Sequence, residues 1–249
     1  MPHTLFISDL HLSADHSGSM AAFQRFIAEF APQAEALYIL GDLFEYWAGD
    51  DDLEDEFHAR VIAALRGLAQ RGTRVYLLHG NRDLLMGKAL AEACRATLLH
   101  DPTLLDLYGT PTLVSHGDRL CTGDTEYQRY RARVHDADFQ RQFLARPLAE
   151  RKAYIEQLRS RSTLEKQSKD SAIMDVNDAA VAALLREYRY PRLIHGHTHQ
   201  PGCHQHRVDG HNCERWVLGD WHQRGSALRC DEQGCAALRF DAPVLAGPT

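Results

Sequence analysis

Leu5-Phe6-Ile7-Ser8-Asp9-Leu10-His11 runs apolar for the length of a buried strand and then ends in Asp-x-His. In a strand, side chains i and i+2 share a face, so Asp9 and His11 project together. A carboxylate beside an imidazole at a strand's C-terminal end is either half of a metal site or an ordinary ion pair. Two later stretches repeat the pattern. Ala36-Leu37-Tyr38-Ile39-Leu40 reads as a second buried strand and leads into Gly41-Asp42. Val75-Tyr76-Leu77-Leu78-His79 reads as a third and leads into Gly80-Asn81-Arg82-Asp83. Between them, Ala22, Phe23, Phe26, Ile27 and Phe30 recur at helical spacing, as do Phe57, Val61, Leu65 and Leu68. Strands alternating with helices imply parallel pairing through right-handed crossovers, an α/β fold. In such sheets functional groups gather at the C-terminal strand ends.

The chain continues with a short helix from Lys88 to Ala96 and a hairpin, Leu104–Tyr108 with Thr112–Ser115, that delivers His116-Gly117-Asp118. The segment from Asp124 to about Tyr188 is helical by pattern. From Arg129 to Lys169 it holds eleven basic residues against five acidic ones, in a chain whose net charge is -6. A basic helical stretch within an α/β chain predicts an insertion leaning over the site. Arg192-Leu193-Ile194 then resumes the strands and runs into His195-Gly196-His197-Thr198-His199, and Glu214–Gly219 and Gly234–Phe240 close the chain as strands. Without an internal repeat or a long linker, residues 1–249 read as a single domain with an insertion at about 124–188. The acidic run Asp50-Asp51-Asp52 reads mainly as solvated loop.

Composition bounds the function. A chain of 249 residues can bury a substantial core. The net charge of -6 argues against a general nucleic-acid binder. Met1-Pro2-His3 enters the first strand without a basic, then apolar, leader, and no apolar run approaches the ~20 residues a bilayer requires. The expectation is a cytoplasmic protein. Cys94, Cys121, Cys203, Cys213, Cys230 and Cys235 form no tight framework and are expected as reduced thiols. A zinc clip from Cys203, Cys213, Cys230 and Cys235 is disfavoured by their irregular spacing.

Seven ligand-type residues fall at strand ends: Asp9, His11, Asp42, Asn81, His116, His197 and His199. Histidine and carboxylate with an amide and no cysteine suit Mn, Fe or Zn. Seven donors are too many for one ion. Two ions roughly 3.5–4 Å apart need a shared carboxylate and can clamp a phosphoryl group. Asp42, on the strand between the other two, is the natural bridge. His195, one step outside the Gly-His-x-His pattern, reads as a strand-end histidine behind the ligands.

Asp-x-His, Gly-Asp, Gly-Asn-Arg-Asp, His-Gly-Asp and Gly-His-x-His, in this order and each behind a strand, resemble the calcineurin-like metallophosphoesterases. The resemblance implies two β-sheets packed as a sandwich and flanked by helices. It implies one metal on Asp9, His11, Asp42 and His199, and a second on Asp42, Asn81, His116 and His197, with Asn81, Arg82 and His116 as catalytic residues. Arg82 stands where many members have a histidine that serves as an acid for the leaving oxygen. A guanidinium cannot donate a proton near pH 7, but it can fork onto phosphate oxygens. That fits a leaving group needing no proton, such as a phosphate within a pyrophosphate.

Longer stretches, among them Asp42-Leu43-Phe44-Glu45, Asp50-Asp51-Asp52, Ile173–Asn177 and Leu218–His222, look like the members that act as UDP-2,3-diacylglucosamine diphosphatases. This implies hydrolysis of that glycolipid to UMP and 2,3-diacylglucosamine 1-phosphate, with two Mn²⁺ ions, at the cytoplasmic face of the inner membrane. Implied substrate contacts are Asn81, Arg82, Asp124, Ser162, Lys166, Lys169 and His197. Lys166 departs from the asparagine of other members, and on charge alone Lys166 and Lys169 read as solvated helix surface. Phe139, Phe143, Leu144, Leu148, Tyr154, Ile155 and Leu158 give the insertion apolar faces beside Arg141, Arg146, Arg151 and Lys152. Such helices can pack on the body, roof a lipid pocket or lie on an anionic membrane surface. A monomer is expected. The rival readings are a soluble di-metal phosphodiesterase or pyrophosphatase acting on nucleotides, and a metal-stabilised scaffold. The scaffold is disfavoured because all seven ligand types are present.

Overall fold

The computed structural model describes residues 1–168, 175–222 and 224–240, with the backbone alone over 160–168. Among the described residues the strands form two sheets. In the first, β1 (Thr4–Ile7), β2 (Ala36–Leu40), β3 (Arg74–Leu78) and β4 (Ala96–Leu98) run parallel, in that order. The strand β10 (Gly225–Asp231) adds antiparallel to β1, and β11 (Gly234–Phe240) antiparallel to β10. The second sheet has the order β5 (Thr103–Leu107), β6 (Thr110–Ser115), β7 (Arg192–His195), β9 (His211–Val217), β8 (Gly202–Val208). Its three central strands are parallel to one another.

The two-residue period of a strand decides how these sheets stack. Leu5, Ile7, Leu37, Ile39, Val75 and Leu77 face one way, onto α1 (Ser17–Arg25), α2 (Glu56–Gln70) and α3 (Lys88–Cys94), in a core with Phe23, Phe26, Val61 and Leu65. Their neighbours Phe6, Tyr38, Leu40 and Leu78 face the other way and meet Val114, Ile194 and Leu218 of the second sheet. Phe6, Tyr38 and Tyr76 stack across three strands, with centroids 4.9 and 4.4 Å apart. On the far side, Leu113, Leu193, Val208 and Cys213 pack on Val181, Leu184 and Leu185 of α7 (Asp178–Glu187). The result is a helix–sheet–sheet–helix sandwich, with each fully buried Leu, Ile or Phe stabilising it by ~1.5–3 kcal/mol. No helix of the described residues is long and apolar enough to cross a membrane.

Three further helices stand beside the strand ends: α4 (Thr125–Val134), α5 (Ala137–Leu144) and α6 (Leu148–Ser168). Asp124 and Asp136 cap the first two by accepting the backbone N–H of Tyr127 and Phe139. The acidic run is solvated only in part, with Asp51 exposed and Asp50 half-buried. Asp52 is buried and takes Lys152 Nζ at 2.7 Å, while Asp51 holds the guanidinium of Arg151, a side chain only 1% exposed. Asp50 instead accepts the N–H groups of Gly87 and Leu90 at the start of α3. Lys152 carries the charge that compensates buried Asp52, while exposed Asp51 compensates the buried guanidinium of Arg151.

The expectation of six reduced thiols is also corrected. Cys230 and Cys235 lie directly opposite each other on β10 and β11 and are joined as a disulfide, while Cys94, Cys121, Cys203 and Cys213 are free. Register, rather than sequence spacing, brings the pair together.

Candidate active site

Five strands, β1, β2 and β3 of the first sheet and β6 and β7 of the second, and the turns after them deliver the candidate donors. Asp9, His11, Asp42, His197 and His199 all adopt positive φ, between 48° and 69°. Left-handed backbone at non-glycine positions is uncommon and turns each side chain back over its own strand end. Glycines make room for the turns. A Cβ on Gly80 would enter the Asp42 carboxylate, and one on Gly196 would enter Asp9 and Ser8. The turns are also tied to one another. Asp83 accepts the N–H groups of Leu43 and Gly80 at 2.8 Å each, and His197 N–H donates to Asp9 Oδ2 at 2.9 Å.

All seven sequence-derived donors meet, and they fall into two groups. In the first, His199 Nε2 lies 3.3 Å from Asp9 Oδ1 and 3.4 Å from His11 Nε2. In the second, Asn81 Oδ1 lies 3.1 Å from His116 Nε2 and 2.9 Å from His197 Nδ1. Asp42 spans them, with Oδ2 3.8 Å from His11 Nε2 and Oδ1 3.9 Å from His116 Nε2. It does so because β2 is the strand between β1 and β3. His116 Nδ1–H donates to the Leu40 carbonyl at 2.9 Å, which leaves Nε2 as its free lone pair. His195 turns away from both groups, 3.1 Å from Arg215 Nη1, and burial there pushes its pKa down to about 3.

A family description of the calcineurin-like phosphoesterases matches residues 2–201. A UDP-2,3-diacylglucosamine hydrolase of Aromatoleum aromaticum is 54% identical over 96% of this chain and 98% of its own. One of Edwardsiella ictaluri is 48% identical over 96% and 92%. The chain is a calcineurin-like phosphoesterase of the UDP-2,3-diacylglucosamine hydrolase family. A hypothetical protein from Pyrococcus horikoshii, at TM-score 0.50 and 10% identity over 98% of this chain and 90% of its own, shares the fold.

Phosphoesterases of this family hold two divalent metals, and the residues present fit such a pair. Two imidazole nitrogens 3.4 Å apart, with a carboxylate oxygen 3.3 Å from one of them, are spaced like donors sharing one cation at about 2.0–2.2 Å. The charge balance agrees. Burial alone would depress His116, but Asp42, Asp9 and Asp118 overcome it and raise its pKa to about 9. Burial likewise opposes His199, yet Asp220 and Asp9 lift it to about 10. Burial works to raise the Asp9 carboxyl, but His199, His116 and His11 hold it well below the usual carboxylate range. A metal-free site that draws protons onto its imidazoles is one that lacks positive charge.

Beside the donors lies a cavity of ≈ 810 Å³. Asn81, Arg82, His197 and His199 form one end, with Asp124 at the wall. Val134, Phe139, Phe143, Tyr154, Ile155 and Leu158, from α4 to α6, form most of the apolar part, with Trp47, Leu84 and Leu85 from the body. Leu144, predicted to belong with them, is 41% exposed and does not line it, and neither does Leu148. The side chains of Ser162 and Lys166, and Lys169 altogether, lie outside the described residues.

Sequence reasoning assigned no role to Glu45, Tyr127, Asp220 or His222. Glu45 is held by cations on two sides, 3.1 Å from Arg159 Nη2 and 3.8 Å from Arg82 Nη1, and lies 3.1 Å from His11 Nδ1. Although burial opposes it, His11, Arg82 and Arg159 depress its pKa to about 2. Tyr127 stacks on His197 and donates its hydroxyl to buried Asp118 at 2.7 Å. Glu45 follows Asp42 by three residues in a motif already singled out, so its position was legible even though its contacts were not.

Proposed function

We propose that this chain hydrolyses the pyrophosphate of UDP-2,3-diacylglucosamine to UMP and 2,3-diacylglucosamine 1-phosphate, with attack on the phosphorus nearest uridine. The observation that carries the reading is the continuity of the cavity, which runs from a phosphate-suited end at Arg82 and Asn81 into an apolar chamber. A soluble nucleotide needs the first part and has no use for the second. The relatives named for this glycolipid substrate match nearly the whole chain, and that supports the same choice.

In this reading Asp9, His11, Asp42 and His199 hold one Mn²⁺, and Asp42, Asn81, His116 and His197 hold the other. Bound there, two divalent cations supply positive charge to the phosphoryl oxygens and acidify water for attack. Arg82 forks onto the phosphates and steadies charge that moves to the departing phosphate, which accepts it without a proton. With cations bound, His116 and His197 would offer lone pairs at the nitrogens facing the site. The helical cap receives the acyl chains between α4, α5 and α6. Asp124, Ser162, Lys166 and Lys169 complete the contacts to the nucleotide sugar. The chain acts as a monomer on the anionic cytoplasmic face of the inner membrane, where Arg141 and Arg146 of the cap meet lipid headgroups.

With Mn²⁺ present, the protein is expected to release UMP from the glycolipid far faster than phosphate from p-nitrophenyl phosphate. The reverse ranking, or faster cleavage of a soluble dinucleoside polyphosphate, would overturn the lipid assignment in favour of a nucleotide enzyme. In ¹⁸O-labelled water the label is expected in UMP, and label in the sugar phosphate would move the attack to the other phosphorus.

A further inference from the structure

Asp-x-His recurs behind another strand. Asp220-Trp221-His222 follows β9 as Asp9-Leu10-His11 follows β1. The middle residue of each is buried and apolar, Leu10 at 0% and Trp221 at 1% exposure, so the polar flanks turn the other way. The two tripeptides lie against each other. Trp221 N–H donates to the Asp9 carbonyl at 3.3 Å, and the His222 and His11 rings stack with centroids 5.7 Å apart and planes within 2°. Asp220 Oδ2 sits 3.2 Å from His199 Nδ1, on the side of the ring opposite the Nε2 that faces Asp9 and His11.

We propose that Asp220 is a positioning residue for the Asp9–His11–His199 half of the site, holding the His199 ring so that its Nε2 lone pair stays aimed inward. This rests on the reading of those three residues as cation ligands. A neutral imidazole has one lone pair, and a carboxylate accepting Nδ1–H decides that it belongs to Nε2. His199 needs such a hold more than His116 does. Its side chain is 28% exposed, on left-handed backbone, whereas His116 is buried and fixed by the Leu40 carbonyl. Asp220 is itself held by what surrounds it. The Trp221 ring meets Phe26 and Phe240 edge-on, at 5.5 and 5.3 Å. Leu218 N–H donates to the His195 carbonyl at 2.8 Å, and Ser19 Oγ–H donates to the Trp221 carbonyl at 3.2 Å. The segment therefore offers the carboxylate from a fixed backbone, and His222 covers the open face of His11. Asp220 does not line the cavity.

The test uses full-length wild type, Asp220→Ala and Asp220→Asn, each titrated with Mn²⁺ against a chelator of known affinity. In Asp220→Ala one of the two equivalents is expected to bind about 10–100-fold more weakly while the other is unchanged. Asp220→Asn, which keeps an acceptor oxygen, should fall between. For the glycolipid, kcat should drop with occupancy and return as Mn²⁺ is raised, at unchanged KM. The proposal is overturned if both equivalents bind as in wild type, if both weaken together, or if activity is lost at full occupancy. A wild type that binds fewer than two equivalents would defeat the ligand reading, and this proposal with it. A loss confined to the variants reads Asp220 alone.

Discussion

The strand-end site and the helical cap above it are built on opposite terms. Around the site the strands are buried on both faces, and each turn is cross-tied to another through Asp83, Asp9 or a backbone amide. In the cap, α4 has no buried residue and α5 only Phe143. The cap stays in place through a few charged contacts: Arg131 to Asp118, Arg151 to Asp51, Lys152 to Asp52 and Arg159 to Glu45. Chemistry that must place atoms within a fraction of an ångström sits on the rigid half. The half proposed to accept long flexible chains is the loosely packed one.

Breaking the rigid half should cost most. Asp42→Ala removes the carboxylate that spans both donor groups, so kcat should fall on the order of 10³-fold or more, about 4 kcal/mol. Metal analysis should show fewer than two equivalents bound. Arg82→Ala leaves the donors untouched and should lower kcat by ~10²–10³-fold with both equivalents retained. Loss of metal in that variant would show that Arg82 supports the ligands rather than the phosphates.

The cap should respond differently. Arg151 donates to the carbonyls of Ala48 and Arg146 as well as to Asp51. Arg151→Ala strands the buried Ala48 carbonyl, so it should cost roughly 1–3 kcal/mol. Hydrogen exchange should quicken in α5 and α6 but not in β1 to β3, and metal affinity should hold. Equal loss of protection in both regions would mean that cap and body unfold as one unit.

The smallest effect sharpens the contrast through pH. The metal-free pKa values of His116 and His199 are raised to about 9 and 10, so near pH 7.5 both rings carry protons that a cation must displace. Calorimetry in buffers of different ionisation enthalpy should therefore record proton release on binding, and affinity should climb as pH rises towards 10. For the metal-free fold the sign is the reverse. Raised histidine values contribute stability that is complete below about 6.5 and fades as pH rises through 9 to 10. Binding without proton release would break this account.

The rigid half was also the legible half. Apolar runs ending in ligand-type residues mark β1, β2 and β3 to within a residue, because strands buried on both faces must be continuously apolar. The missed strands are those for which that rule fails. The strand β4 is three residues long, β8, Gly202–Val208, is an edge strand with His204, Gln205, His206 and Arg207 along it, and β10, Gly225–Asp231, is interrupted by Ser226, Arg229 and Asp231. The donors were readable because each follows a strand. Asp220 and His222 follow one too, but the strand before them, Glu214-Arg215-Trp216-Val217, is half polar and lacks the continuous apolar run that marks the others. The role of the acidic run at 50–52 was out of reach, since it depends on basic residues about a hundred positions further along the chain.

Five donors on left-handed backbone have a thermodynamic consequence. At about 1 kcal/mol each, such residues consume an amount comparable to a sizeable part of a domain's whole net stability. Without cations to reward that posture, the core must hold all five residues unaided. A cavity opened far away, for instance by Phe23→Ala, should then let the turns relax into ordinary conformations well before the sandwich melts. Hydrolysis would fade in a protein that is still folded, and added Mn²⁺ would bring it back.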